Sequence, residues 1–558
     1  MVERKSPRRR ERGAVSRSAL SQWLLLVIGF SVILGPAVLR LGGCWEPSEG
    51  EVIGGEASSS APHAEAPAPR TYRTPVAGAD RVLPGGDFLL GGIQVNEADH
   101  EHWVQTLEAR GFNTVSVTVY AHQGDWNSSN LWFDDEAPAV VSEIRAAREE
   151  GLEVVLILRV ALDHAFDANR FFWHGMIQPR TEPELEEWFR RYRLFALRWA
   201  AIAEREGVDL LGIGSELNAL TSTVPVDGVP ALEDYFLSSQ KAEERREDVL
   251  RFADRLEEGH LGIAGGASYD TPRQRIDAEI EAQRRWAGEV VGAEDREPPP
   301  DAEAVAAINH RRQILEENWR ALIADLRQVY SGPMTYAANF DQYHEVGFWD
   351  ALDWMGINAY FQLRKVWQPQ LPEARLAAQL EAGWQEVLAT IDDQRRLRGV
   401  PQMPVIFTEL GYTRGDGCTL EPWASTGFSI LPASAVLPGG SAAQPEKAPT
   451  VKEEGAKELV IWTEQPERRE ERALAIAGLR RAAARQPGLL RGLLWWKLST
   501  VPSHEEIEPF VLRIDDGSED PLLDPLAALR SLGASSGVSP RASSGVSPGT
   551  SPGEPGAL

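Results

Sequence analysis

The feature that most constrains the fold of this chain is a repeated alternation of short apolar runs and amphipathic helical stretches. Most of the apolar runs are continuous, which is typical of strands that are buried on both faces of a parallel sheet. Eight runs are predicted strands: Phe88–Val95, Thr114–Tyr120, Val154–Val160, Leu210–Ser215, Met334–Asn339, Trp354–Phe361, Val405–Thr408 and Leu493–Leu498. The predicted helices between them include Ala98–Arg110, Ala137–Glu150, Glu182–Glu206, Ile308–Val329, Glu373–Arg398 and Glu467–Arg485.

Eight strands that alternate with helices favour an α/β fold, a (β/α)8 TIM barrel, over residues 81–532. A doubly wound open sheet is the alternative, but the Gly-rich phosphate turn that such a sheet would use is absent. Two connections, residues 221–307 and 413–460, are too long for plain loops and are predicted insertions. Both follow the C-terminal ends of strands, where barrel enzymes carry their sites. They either wall a substrate cleft or are solvated segments without a role.

The N-terminal segment predicts a membrane attachment. Basic residues exceed acidic ones by five within residues 1–18, and residues 19–39 form an apolar run of 21 positions. This pattern predicts a cytoplasmic tip, a signal anchor that spans the bilayer as a helix, and an exported main domain. A cleaved lipoprotein signal ending before Cys44 is the alternative. In either case the protein would be held at the cell membrane by a flexible stalk, residues 40–80. The Ser/Gly/Pro-rich residues 533–558 are predicted to be disordered.

The charge balance and the cysteine content exclude several classes of protein. The chain has 57 basic and 83 acidic residues, a net charge of −26, which argues against nucleic acid as a partner. Two cysteines exclude a disulfide framework. His-Glu-x-x-His, phosphate-loop and Gly-x-Ser-x-Gly motifs are all absent from the sequence. We therefore predict no cofactor and no metal.

Two glutamates stand where apolar strands give way to loops. Glu216 follows the fourth predicted strand and Glu409 follows the seventh. In a barrel both side chains would point into the same cup. Two carboxyl groups that face one bond are what glycoside hydrolysis needs, since one must donate a proton while the other stays ionised. A single Glu at a strand end is more often a helix cap or an ion-pair partner, but two at matching positions favour catalysis.

The surrounding motifs resemble a known family. Gly-Ile-Gly-Ser-Glu216-Leu and Phe-Thr-Glu409-Leu-Gly-Tyr412 are similar to the acid/base and nucleophile motifs of glycoside hydrolase family 113, whose members are known chiefly as β-1,4-mannanases. Trp173-His174-Gly175 before the fourth strand and Trp495-Trp496-Lys497 at the eighth also fit. The resemblance covers roughly residues 85–530 apart from the two insertions, and it implies a retaining barrel glycosidase.

The resemblance also implies roles for individual residues. Glu216 would be the general acid/base, Glu409 the nucleophile, and Tyr360 would hydrogen-bond to Glu409, although a buried core tyrosine is an equal reading of the sequence. Asn339 and Asn358 would bind sugar hydroxyls, or simply form turns. The predicted sugar platforms are Trp495 or Trp496, of which only one can face the cup, and Trp126, Trp132 and Trp173 in outer subsites.

Two positions depart from the family pattern. Ser215 stands where the wider clan usually has Asn, and Arg159-Val160-Ala161 stands where many members have Lys-Pro-His. These departures bear on sugar specificity more than on reaction type. The sequence thus predicts a retaining hydrolase of β-linked polysaccharide, with mannan or glucomannan as the first expectation. The alternatives are a surface carbohydrate-binding barrel that does not catalyse, and a glycosidase of the same clan that acts on another cell-wall or capsule glycan.

Overall fold

The structure, a computed structural model, describes part of the chain. The described residues are 87–133, 135–163, 174–179, 181–228, 301–364, 371–420, 422–423, 428–432, 458–462 and 467–534. The predicted N-terminal tip, anchor and stalk lie outside these ranges, as do Trp173 and nearly all of the predicted C-terminal tail. Two charged stretches of the first predicted insertion, Gln240–Glu258 and Ile276–Trp286, also lie outside them. Within the described ranges, no helix is both long enough and apolar enough to span a bilayer.

Eight parallel strands close into a barrel. Each strand pairs with the next one along the chain, and the eighth pairs with the first, so the described sheet closes on itself and confirms the predicted TIM barrel. The barrel strands are β1 (Leu89–Gln94), β2 (Thr114–Gln123), β3 (Glu153–Leu162), β4 (Leu210–Ser215), β5 (Met334–Asn339), β6 (Met355–Asn358), β7 (Val405–Leu410) and β8 (Leu490–Ser499).

The helices on the outside of the barrel follow the predicted pattern. Helix α3 begins and ends at the predicted residues, because Thr181 and Glu184 form a capping box at its start and Gly207, at φ +74°, ends it. The largest difference is at α4, which begins at Asp301, so the last seven residues of the predicted first insertion, 301–307, are helical. The other helix ends lie within three residues of the predicted ones. The long helices are α1 (His100–Ala109), α2 (Ala137–Glu149), α3 (Glu182–Glu206), α4 (Asp301–Leu326), α5 (Glu373–Leu397) and α6 (Arg469–Ala484).

Smaller elements complete the described chain. A short strand, Leu131–Trp132, pairs antiparallel with the end of β2, and Leu512–Arg513 pairs with the end of β8. Strands Phe428–Pro432 and Glu458–Trp462 form an antiparallel pair within the second predicted insertion. The short helices and 3-10 turns are His174–Met176, Asn218–Thr221, Trp349–Ala351, His504–Ile507, Leu523–Ala527, Ala528–Arg530 and Ser531–Ala534.

The core has two layers that follow the alternation of side chains along each strand. On β3, Val155 and Ile157 belong to the cluster inside the barrel, while Leu156 and Leu158 belong to the larger cluster between the strands and the helices. The next inward position on β3 is Arg159, which is 7% exposed. A buried charge at that position requires an anionic partner in the barrel mouth.

The loop that follows β7 is held by a buried ion pair. Glu471 of α6 is fully buried, accepts a hydrogen bond from the Gly417 N–H at 2.9 Å and pairs with Arg364 at 2.6 Å. The hydroxyl of Thr419 donates to the same carboxylate. Because an uncompensated buried charge is costly, these contacts fix the loop against α6. The chain leaving the predicted nucleophile therefore has a defined path.

A buried acid outside the site makes the stability of this fold depend on pH. Glu143 of α2 is 5% exposed, and burial raises its pKa to about 7, although a hydrogen bond from Gln94 acts in the opposite direction. Between the unfolded pKa of about 4.5 and the folded value, only the unfolded state loses the proton, so this group costs stability as the pH rises. The full difference is about 3 kcal/mol.

We therefore expect Glu143→Gln to raise the melting temperature more at pH 8 than at pH 4.5. The amide keeps an oxygen for Gln94 and never ionises. Thermal unfolding at both pH values measures this difference, with Glu149→Gln on the exposed face of the same helix as the control. An equal gain at the two pH values would contradict the assigned pKa.

Candidate active site

The two predicted catalytic carboxyl groups both lie at the C-terminal mouth of the barrel. Glu216 follows β4 directly and is 5% exposed, while Glu409 lies in β7 and is 3% exposed. Arg159 forms an ion pair with Glu409, and its charge also lowers the pKa of Glu216. Tyr360 hydrogen-bonds to Glu409, and the charge of Glu216 acts to raise the pKa of this tyrosine. The two glutamates thus belong to one electrostatic cluster, as the sequence predicted.

Glu216 is held in an uncommon backbone conformation. Its φ is +51°, in the left-handed region that non-glycine residues adopt at a cost of about 1–3 kcal/mol. Two hydrogen bonds hold this turn: the Glu216 N–H donates to the Ala337 carbonyl at 2.9 Å, and the Leu217 N–H donates to the Tyr336 hydroxyl oxygen at 2.8 Å. Both acceptors come from β5. The turn aims the carboxyl group at the end of β4 into the mouth of the barrel.

Glu409 is reached by two donors. The Tyr360 hydroxyl donates to Oε2 at 2.8 Å, and the guanidinium of Arg159 donates to Oε1. Burial raises the pKa of Tyr360 well above its usual range, so the phenol keeps its proton and remains a donor. Two donors on two oxygens fix the rotation of the carboxylate. This is the contact that the resemblance implied for Tyr360.

An irregularity in β7 brings Glu409 and its neighbour to the same side. Ile357 of β6 pairs with Phe407 and Asn358 pairs with Glu409, which leaves Thr408 as an extra residue in β7. Without the bulge, Thr408 and Glu409 would face opposite sides of the strand. With it, Thr408 donates to Asn358 at 2.8 Å while Glu409 accepts from Tyr360.

Glu216 is paired with an imidazole. The Nε2 atom of His174 lies 3.1 Å from Oε2 of Glu216. Burial acts to raise the pKa of Glu216. The hydrogen bond and the charge of His174, the hydrogen bond of Asn358 and the charge of Arg159 act in the opposite direction, and together they lower the pKa below its usual range. The sequence argument expected apolar surroundings to keep one carboxyl protonated. In the unliganded site these neighbouring donors favour the ionised form instead.

This pairing predicts a shift in the pH profile of His174→Gln. A general acid works only while protonated, so the alkaline limb of kcat/KM follows the pKa of Glu216 in the free protein. The hydrogen bond and charge of His174 lower the pKa of Glu216, so their removal should raise that pKa and move the midpoint of the alkaline limb to higher pH. The matched control is His310→Gln, which removes a histidine that lies 2.8 Å from Glu182 on the outer surface. An unmoved or lowered midpoint in His174→Gln would contradict the pairing.

Asn358 is a buried bridge between strands. It is fully buried, its Oδ1 accepts from Thr408, and its Nδ2 donates to the Ser215 hydroxyl at 3.3 Å. It also hydrogen-bonds to Glu216 and contributes to the low pKa of that group. An asparagine from β6 thus reaches Ser215, the residue that precedes Glu216. These bonds favour a positioning role, and sugar binding by Asn358 stays a prediction.

Asn339 and its neighbour Asp341 carry buried polar atoms without hydrogen bonds. Asn339 is 1% exposed, and neither its Oδ1 nor its Nδ2 has a partner among the described residues. Oδ1 of Asp341 is unpaired in the same way, and burial, together with the charge of Glu216, raises the pKa of Asp341 to about 7. Unpaired buried polar groups cost about 1–3 kcal/mol each. Asn339 ends β5, two residues before Asp341, and its unpaired amide supports the prediction that it binds a ligand hydroxyl.

The two strand-eight tryptophans face opposite ways. Trp496 is half-buried, and the guanidinium carbon of Arg159, the ion-pair partner of Glu409, lies 5.1 Å from its ring centroid. The peptide bond that follows it, to Lys497, is cis. Trp495 is fully buried in the core cluster that faces the helices, 6.2 Å from the ring of Tyr412. Trp126 is 6% exposed and belongs to the same helix-facing core cluster as Trp495.

Sequence reasoning did not assign roles to Arg159, His174 and Asp341. Arg159 had a detectable signal, since it continues the inward series of Val155 and Ile157 and a charge there needs a partner. His174 begins a single 3-10 turn and Asp341 lies in the turn after β5, and no local pattern specifies the direction of either segment. Within the described ranges, no three or more His, Cys, Asp or Glu residues are grouped so that they could hold a metal ion.

Comparison with known proteins agrees with these motifs. The model of Glycoside Hydrolase Family 113 matches residues 91–223 and 304–429, which include both glutamates, His174, Arg159 and Tyr360. A search of curated proteins gave no match.

Solved structures with a similar fold include three mannanases. A family 113 β-mannanase from Alicyclobacillus acidocaldarius is 15% identical, with a TM-score of 0.45 over 80% of this chain and 98% of its own. A second family 113 β-1,4-mannanase is 15% identical, with a TM-score of 0.44 over 80% and 99% of the two chains. An endo-1,4-β-mannanase from Rhizomucor miehei is 7% identical, with a TM-score of 0.37 over 80% and 95%. The family match, which spans both glutamate motifs, shows that this chain is a glycoside hydrolase and belongs to family 113.

Proposed function

We propose that this glycoside hydrolase cleaves β-1,4-linked mannan or glucomannan with retention of anomeric configuration. The observation that carries the mechanism is the asymmetry between the two carboxyl groups. Glu409 accepts hydrogen bonds from Arg159 and Tyr360, a cation and a phenol that hold its carboxyl group in place. Glu216 is paired with His174, a group that can hold a proton. One carboxylate is thereby set up to attack, and the other to exchange a proton.

The proposed reaction has two displacements. In the first, Glu409 attacks the anomeric carbon while Glu216 gives its proton to the departing glycosidic oxygen, so that a glycosyl ester forms on Glu409 and the leaving chain departs as an alcohol. In the second, Glu216 removes a proton from water, which attacks the same carbon and releases Glu409. When the ester forms, Arg159 loses its carboxylate partner and its charge favours the ionised form of Glu216, the base that the second step needs.

The substrate follows from the family rather than from the site geometry. Members of family 113 are known chiefly as β-1,4-mannanases, and the solved relatives above carry that activity in their names. Ser215 and Arg159-Val160-Ala161 stand where the resemblance leads us to expect Asn and Lys-Pro-His. These departures favour a second candidate, a glycosidase of the same mechanism that acts on another β-linked cell-wall or capsule glycan.

A panel of polysaccharides tests both candidates. The purified protein is incubated with mannan, glucomannan, galactomannan, cellulose, xylan and bacterial capsule preparations, and reducing ends are measured. Highest activity on mannan or glucomannan supports the first proposal, and highest activity on another member of the panel supports the second. Proton NMR of the first product gives the stereochemistry, and an inverted anomer would refute double displacement.

We further propose that residues 19–39 hold the enzyme at the membrane with its barrel outside the cytoplasm. The support is the basic tip followed by an apolar run of 21 residues. Fractionation of cells that express the full chain should place it in the membrane, and removal of residues 1–39 should release it. Protease added to intact cells should degrade the barrel of the full chain if it faces outward.

A further inference from the structure

Strands β2 and β3 continue beyond the level of the catalytic residues and carry a third, short strand. Tyr120 of β2 pairs with Arg159 of β3, and two residues further His122 pairs with Ala161. The short strand Leu131–Trp132 then adds to the edge of β2, with Trp132 paired to His122. The pair of His122 and Trp132 therefore lies about 7 Å further along the sheet than Arg159, at about 3.3 Å for each residue.

The face of this extension that bears Trp132 is the face that points into the cleft. Directly paired residues of neighbouring strands project to the same side of a sheet. Arg159 projects into the barrel mouth, because it contacts Glu409 and the ring of Trp496. His122 and Trp132 lie on that same side, one step of the pleat further out. Leu131, the neighbour of Trp132, is 4% exposed and packs in the helix-facing core, as the alternation requires.

Trp132 is an exposed ring with a fixed orientation. It is 39% exposed, and among the described residues the other exposed large apolar side chains are two leucines on outer helices, Leu194 and Leu397. The ring stacks on His122, with centroids 6.2 Å apart and planes 18° apart. His122 is held in turn by Asp163, at 3.1 Å from Nδ1. A tryptophan that is ordered on one side and open to solvent on the other is a surface that a flat apolar ligand can cover.

We propose that Trp132 is the platform of a distal subsite, on which a hexopyranose ring of the substrate chain stacks while another unit of the same chain lies between Glu216 and Glu409. The apolar C–H face of a β-linked sugar matches the indole, and His122 with Asp163 positions the ring. This inference deepens the proposed function and rests on it for the identity of the sugar. It predicts that Trp132 makes kcat/KM depend on the length of the substrate chain.

The test compares substrates of increasing length in Trp132→Ala. β-1,4-Manno-oligosaccharides from two to six units are assayed with wild-type enzyme and the variant, together with a short aryl mannoside. We expect kcat/KM for the longest substrates to fall about three- to tenfold, mainly through KM, with the shortest substrates unchanged. Trp132→Phe should restore most of the loss, and Leu194→Ala, an exposed apolar residue on α3, should change nothing.

The outcomes separate the two proposals. If wild-type enzyme cleaves no mannan, the proposed substrate is wrong, and the length series is repeated with oligosaccharides of the polysaccharide that the panel identifies. Should no member of the panel be cleaved, binding replaces the rate series. Glu409→Gln and the double variant Glu409→Gln/Trp132→Ala are compared by affinity electrophoresis in gels that contain each polysaccharide. Equal migration of the two proteins would overturn the proposed role of Trp132. An equal loss for every chain length, or no loss for the longest, overturns it as well.

Discussion

Glu409→Gln is expected to lose hydrolytic activity by about 10⁴-fold or more while the fold remains intact. The amide has nearly the same shape as the carboxylate, but it carries no charge and cannot form the glycosyl ester on which double displacement depends. Tyr360 can still donate to the amide oxygen, but Arg159 loses its anionic partner, so we expect a folded protein with a lower melting temperature. The measurement is kcat/KM on the best polysaccharide of the panel, with circular dichroism and thermal unfolding to establish the fold.

A matched control variant shows whether the loss of activity is specific to Glu409 or follows from the removal of any carboxylate. Glu187→Gln removes an acid on helix α3 that pairs with Arg190 and Arg191 outside the site, and its activity should equal that of the wild type. If Glu409→Gln retained wild-type rates, Glu409 would not be the nucleophile. Glu409→Ala provides a second test, because azide should enter the space left by the carboxylate and give a glycosyl azide of inverted configuration.

The strands and helices of the barrel could be predicted from the sequence because each depends on a local pattern of side chains. The location of the two glutamates at strand ends follows from the same patterns. An apolar strand of five or six residues and an amphipathic helix are each encoded by consecutive side chains, so Leu210–Ser215 and Met334–Asn339 occur at the predicted residues. The carboxyl end of each parallel strand must then lie at one rim. Glu216 and Glu409 lie at the same rim for that reason, and the turn at Glu216 and the bulge in β7 then orient their side chains.

Strand ends were harder to predict, because long-range pairing decides them. The sixth strand was expected to extend to Phe361, but it ends at Asn358. Beyond that point the chain makes one bond to its neighbour, from the Ala359 N–H to the Glu409 carbonyl, and then departs. Tyr360 is therefore a loop residue, and its hydroxyl can turn back to Glu409. The second strand instead runs to Gln123, three residues past the expected end, because β3 and Leu131–Trp132 pair with the extra length.

The charges around the glutamates could not be assigned from the sequence. Arg159 and Glu409 are 250 positions apart, and His174 and Glu216 are 42 apart, with helix α3 and strand β4 between them. No periodicity links such pairs, and the departure of Arg159-Val160-Ala161 from the family pattern gave no indication of what Arg159 would contact. In the structure a guanidinium at this position pairs with Glu409, and its charge lowers the pKa of Glu216.

The same electrostatics give Glu216→Ala a distinctive behaviour. Without an acid, cleavage of natural polysaccharide should fall by about 10²–10⁴-fold, because the departing sugar oxygen leaves without a proton. An aryl glycoside with a good leaving group needs no such proton, so Glu409 should still form the glycosyl ester. Hydrolysis of that ester is then the slow step, since no base activates water.

Azide should rescue Glu216→Ala on the activated substrate, because this anion attacks the ester without losing a proton. Since the attack comes from the face that Glu216 occupied, the product should be a glycosyl azide with retained configuration, opposite to that formed by Glu409→Ala. Glu216→Gly is the second variant, because glycine adopts the observed φ of +51° without the cost that alanine carries. Release of the aryl group under added azide and NMR of the product are the measurements. Failure of azide to accelerate either Glu216 variant, or an inverted product from one of them, would remove the acid/base role from Glu216 and with it the two-step scheme.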